Sequence, residues 1–97
     1  MTRETIAEAW EQHRGIDWPQ FSSPNQGQLM TLDTVISGCV VFYLDSPEGL
    51  DHQRAAIVRD CVGDLGDLTG ELDADSQVYF IRLRKLGEML LATAPNP

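Results

Sequence analysis

Apolar residues recur along this chain at intervals of three and four, the spacing that presents one face of an α-helix to a core. Ile6, Ala9, Trp10 and His13 share such a face near the N-terminus, with Thr2 placed to cap it and Glu4 at the positive end of its dipole. A first helix is expected over about 3–13, ended by Gly15. The stretch from Gly15 to Ser23 then holds Pro19 between Trp18 and Phe21, too irregular for a helix and too apolar for a free linker. It reads as a loop pinned to the core.

Ser23-Pro24-Asn25-Gln26 is the clearest local signal: Ser at the cap, Pro in the first turn, and Gln three residues after Ser. A second helix over 24–45 follows, with Leu29, Leu32, Ile36, Cys39, Val40, Tyr43 and Leu44 in one arc. Val35, Val41 and Phe42 carry apolar surface almost all round it, which predicts the central, buried helix. The same residues admit a competing reading, because Cys39 to Leu44 is rich in strand formers: two strands turning at Ser37-Gly38, an α+β fold with a hairpin over 29–44.

A third helix over 51–70 starts at Ser46-Pro47 or at Asp51 and carries Ile57, Val58, Cys61, Leu65, Leu68 and Leu72 on one stripe. Gly63, Gly66 and Gly70 fall on one face of it and favour an ending near Gly63 with turn-like residues beyond; the other way to accommodate them is close approach of a neighbouring backbone. Asp73 or Asp75, with Ser76, caps a fourth helix over 76–93 whose stripe is Tyr79, Phe80, Leu83, Leu86, Leu90 and Leu91. Four helices with short connections predict an all-α, four-helix bundle-like single domain over 1–97.

Composition narrows the function more than the fold. With 42% hydrophobic and 23% charged residues the chain can build a core. Fifteen acidic residues against seven basic ones give a net charge of -8, which repels phosphate backbones and anionic lipid and favours a basic partner. Direct nucleic-acid binding is not expected. The charged N-terminus and the lack of a run of ~18 apolar residues point to a cytoplasmic protein that does not engage a membrane. Cys39 and Cys61 lie among apolar neighbours and are expected to be buried free thiols.

Asp60, Asp64, Asp67 and Glu71 step by four, three and four, an acidic stripe with no Lys or Arg interleaved. Read as a site, it is a docking strip for a basic partner; read plainly, it is a solvated face. Val78, Ile81 and Met89 lie off the main stripe of the fourth helix and form a second candidate surface, extended by Trp18 or Phe21 if the loop brings them near. Asp33 falls inside an apolar arc, where a carboxylate needs a partner, and Arg82 or Arg84 is the expected one. His13 and His52 have no companions at metal-ligand spacing and suggest surface or capping roles.

Catalytic chemistry finds little to stand on. The chain shows no activated nucleophile, metal cluster or phosphate-binding glycine loop, and no cofactor is implied. An EF-hand opening at Asp73 and Asp75 would need glycine at Val78 and glutamate at Arg84. The enzymatic alternative is a small metal-dependent hydrolase in which Glu8 and Glu11 converge with Asp64 and Asp67. The leading expectation is a non-enzymatic, protein-binding domain. In charge and size the chain resembles immunity proteins, antitoxins and phage-encoded inhibitors, and the resemblance implies that it occludes the basic surface of another protein. A dimeric structural or regulatory accessory protein, paired through the fourth helix, is the remaining reading.

Overall fold

A computed structural model describes residues 3–46 and 49–93, and every regular element among them is helical. The order is α1 (Arg3–Arg14), α2 (Gln26–Asp45), α3 (His52–Leu68), a single 3-10 turn at Thr69–Glu71, and α4 (Ala74–Thr93). The all-α bundle is the fold, and the hairpin over 29–44 is not formed: Leu29 to Leu44 lies within α2. Leu29, Leu32, Ile36, Cys39, Val40 and Tyr43 are buried at helical spacing where α2 packs on the three other helices, a set that the alternating faces of a hairpin would divide.

Local chemistry sets most helix ends. The Asp51 side chain caps α3 by accepting from the Arg54 backbone N–H at 2.7 Å, so this helix starts at Asp51 and not at Ser46-Pro47. Asp73 caps α4 in the same way, accepting from the Ser76 N–H at 2.8 Å. In α2 the Ser-Pro signal is real but two residues early: Ser23 Oγ accepts from the Asn25 N–H at 3.1 Å, closing a turn, and the helix begins at Gln26. The opposite end of α2 is held from a distance. Arg3 Nη1 donates to the carbonyls of Tyr43 at 2.7 Å and Leu44 at 3.2 Å, supplying the positive charge that a helix C-terminus favours. Thr2, proposed to cap α1, and the tail from Ala94 lie outside the described residues.

Cross-helix contacts fix the directions. Arg3 meets the end of α2 while His13 approaches Asp33 in its middle, so α1 and α2 are antiparallel. Asp33 meets Tyr79 near the start of α4, and Gly87 packs on Val62 of α3, which completes an up-down-up-down arrangement. The core is one cluster in which Ile6, Leu29, Ile36, Val40, Val58, Leu65, Phe80, Leu83 and Leu90 are fully buried. Truncating a ring such as Phe80 to alanine would cost about 3–5 kcal/mol.

Three packing expectations are corrected. α2 is one-sided, not encircled: Met30 is 52% exposed and Val41 is 44% exposed. Ile57, placed on the α3 stripe, faces solvent, because the stripe that packs is Ala55, Val58, Cys61 and Leu65. Nor does α3 end near Gly63; it runs to Leu68, and a Cβ at Gly63 would meet open space, so no contact there breaks the helix. Close approach is made by side chains and not by a neighbouring backbone, at Gly66, where a Cβ would stand 3.3 Å from Arg84 Cζ, and most tightly at Gly87 of α4, where it would stand 2.6 Å from Val62 Cγ2. By length and composition α2 is also sufficient to cross a membrane, against the expectation of no such segment; here its Leu29, Ile36 and Val40 face is buried in the bundle.

Candidate functional site

Asp60, Asp64 and Asp67 are exposed along one face of α3, and Glu71 is exposed in the 3-10 turn just beyond its end. The stripe therefore continues past the helix, with Glu71 carried on a tighter turn than the helical projection assumes. Among the described residues no cation lies within ion-pair distance of these four. Arg84 of α4 lies over the same helix: lacking a side chain, Gly66 lets the guanidinium lie against α3, where a Cβ would be 3.3 Å from Arg84 Cζ. Its Nε is committed to Glu88 Oε1 at 3.5 Å. The field of the stripe reaches inward as well. Burial chiefly pushes the Cys61 thiol above its ordinary range, and the negative charges of Asp64 and Asp60 add to the effect after that of Cys39. Cys39, also raised by burial, is likewise a buried free thiol.

The second candidate surface is divided. Val78 and Ile81 are 52% and 44% exposed on the outer side of α4, whereas Met89 is half-buried near the other end of that helix. Trp18 and Phe21 join the inner side: Trp18 stands edge-on to Tyr79 and Phe80 at 5.5 Å, and Phe21 to Phe80 at 5.8 Å. These rings pin the loop between α1 and α2 onto α4, as their composition predicts, and do not enlarge the patch at Val78 and Ile81.

A partly buried polar cluster forms around Asp33. Asp33 takes neither Arg82 nor Arg84 as its partner. Tyr79 Oη donates to Asp33 Oδ2 at 2.9 Å, Ser37 Oγ donates to Oδ1 at 3.3 Å, and His13 Nε2 lies 3.6 Å from Oδ1. Burial, then the hydrogen bond to Asp33 and its charge, drive the Tyr79 hydroxyl well above the ordinary phenol range. His13 is not a surface residue: it is 5% exposed, its ring 4.8 Å from that of Tyr79. The signal was present in the sequence, since His13, Asp33 and Tyr79 each interrupt an apolar helical stripe. Their meeting depends on the rotation of three helices about their own axes, which no single stripe encodes.

Both imidazole nitrogens of His13 are buried without a hydrogen-bond partner among the described residues. An unsatisfied buried polar group costs about 1–3 kcal/mol. The same ring lines a half-open cavity of about 180 Å³ between α1 and α4. Ala9, Leu86 and Met89 give this cavity an apolar wall, and Arg82 and Lys85 place two cations on it.

The carboxylate arrangement required by a metal-dependent hydrolase is not built. Glu8 and Glu11 are on α1 and Asp64 and Asp67 on α3, two helices that do not touch. Among the described residues no three His, Cys, Asp or Glu side chains are grouped to hold a metal ion. No protein family, curated protein or solved structure matches this chain.

Proposed function

We propose that this chain is a non-enzymatic binding domain that docks, through the acidic face of α3, onto a basic surface of another protein. The observation that carries the reading is the row Asp60, Asp64, Asp67 and Glu71, exposed together with no cation within ion-pair distance among the described residues. Like charges one helical turn apart destabilise a helix by a few tenths of a kcal/mol per pair. A cationic partner reverses that term. Desolvated charge pairs across an interface fix register and slow dissociation, and the net charge of -8 accelerates encounter.

An inhibitor or neutralising partner, of the immunity-protein, antitoxin or phage-inhibitor type, is the role such a surface suits. The acidic row would occlude a basic cleft that otherwise engages nucleic acid. The test is capture of a partner from the source lysate by the wild-type chain and by the Asp64→Lys, Asp67→Lys, Glu71→Lys variant. Capture that is lost on reversal, and weakened in the wild type by raised salt, supports the proposal. Equal capture by a folded variant refutes it.

A second reading is a dimeric accessory protein, favoured by the exposure of Val78 and Ile81 on α4. It predicts a concentration-dependent mass in sedimentation that Ile81→Glu abolishes and the lysine reversal of α3 leaves unchanged.

A further inference from the structure

The cavity between α1 and α4 combines features that the acidic face of α3 does not use. In a chain with seven basic residues, Arg3 is committed to carbonyls at the end of α2, and Arg14, Arg54 and Arg84 each pair with a carboxylate. Arg59, Arg82 and Lys85 have no such partner among the described residues; Arg59 is exposed on α3, and the other two line this cavity. Two unneutralised cations lining one cavity, in a protein with a net charge of -8, select an anion.

The rest of the lining favours an apolar body, since Ala9 of α1 and Leu86 and Met89 of α4 present carbon and sulfur to the same space, with Gln12 beside them. His13 also lines the cavity, 5% exposed and with neither ring nitrogen bonded. Asp33 faces its Nε2 from outside hydrogen-bond range at 3.6 Å, with the carboxylate already engaged by Tyr79 and Ser37.

We propose that this cavity is a binding site for a small carboxylic acid with an apolar body, its carboxylate held by Arg82 and Lys85 and its body seated against Ala9, Leu86 and Met89. A volume of about 180 Å³ is close to the ~150 Å³ that accommodates benzene in an engineered protein cavity, so the ligand is of benzoate size. Guanidinium and ammonium donors together bind a carboxylate more strongly than a neutral oxygen. The site is on the opposite side of α4 from its contact with α3, so it can be occupied or fail independently of the acidic docking face.

The test is an NMR titration of the full chain with sodium benzoate, benzyl alcohol and inorganic phosphate, following the His13 ring and the Met89 methyl. Benzoate should give saturable shifts at both positions, with benzyl alcohol and phosphate each weaker by about ten-fold or more, because each lacks one of the two recognition elements. Arg82→Gln with Lys85→Gln, both exposed positions, should weaken benzoate by at least about five-fold without changing the helical circular dichroism. Absence of saturation, equal affinity for benzyl alcohol or for phosphate, or wild-type affinity in the double variant would each overturn the assignment.

Discussion

Tyr79 donates its hydroxyl hydrogen bond to Asp33 across the α2–α4 interface at 2.9 Å, and this bond holds two helices at a fixed rotation. A hydrogen bond to a charged group contributes about 1.5–3 kcal/mol, so Tyr79→Phe should destabilise the fold by that amount in urea unfolding. The same bond predicts a pH dependence. The folded-state pKa of Tyr79 lies above its ordinary value of 10.0, so its stabilising contribution is complete below that pH and declines as pH rises beyond it. The wild type should lose up to ~1.4 kcal/mol per pH unit from this group above pH 10, a slope missing from Tyr79→Phe.

Two glycines should respond to alanine with opposite signs. At Gly87 the new methyl would stand 2.6 Å from Val62 Cγ2, and forcing α3 away costs more than the helix propensity gained, a net loss of about 1–2 kcal/mol. At Gly63 the methyl would enter open space in mid-helix, a gain of up to about 1 kcal/mol. Val62→Ala should relieve the Gly87→Ala loss in a double-mutant cycle, and additive losses would show that the contact does not limit the approach.

The α3 and α4 caps predict an acid limb. The backbone N–H of Arg54 holds the Asp51 carboxyl below its ordinary value, and that of Ser76 does so for Asp73. Because both folded-state values are depressed, the stability they add is present above the ordinary value of 3.8 and is lost as pH falls below it. Asp51→Ser keeps a cap oxygen but not the titration, so thermal unfolding should retain the wild-type midpoint at neutral pH better than Asp51→Ala and show a shallower decline in acid.

These caps were legible in the sequence because each is a local event, an Asp three residues before the N–H it receives. The stripes on α1 and α4, and that on α3 apart from Ile57, were legible for the same reason, and the exposed row from Asp60 to Glu71 is where the spacing put it. What escaped was relational. Gly87 has no mark of its own until Val62 is opposite it, and the unbonded His13 is invisible until α1 is turned toward Asp33 and the cavity. Asp33 needed a partner, as its place in an apolar arc implies, but the nearest arginines in the helical projection point elsewhere: Arg84 lies over α3 and Arg82 lines the α1–α4 cavity.

His13 gives a further stability prediction. A buried imidazole with neither nitrogen bonded is a cost to the fold, so His13→Leu should raise stability by about 1 kcal/mol in urea unfolding. A variant that is instead destabilised by several kcal/mol would show that the His13–Asp33 approach is a strong structural contact.

The most direct measurement of the docking role separates the position of the charge from its amount. Asp64→Asn, Asp67→Asn, Glu71→Gln should be compared with Glu8→Gln, Asp17→Asn, Asp45→Asn, a set of exposed sites that changes the net charge equally. Both proteins are mixed with the partner captured by the wild type, and the dissociation constant is read by calorimetry. Docking through α3 predicts a loss of about 100-fold or more for the first variant, roughly 1 kcal/mol per interfacial charge, and less than about five-fold for the second. Equal losses from the two would contradict it, because binding would then follow net charge and not the acidic face.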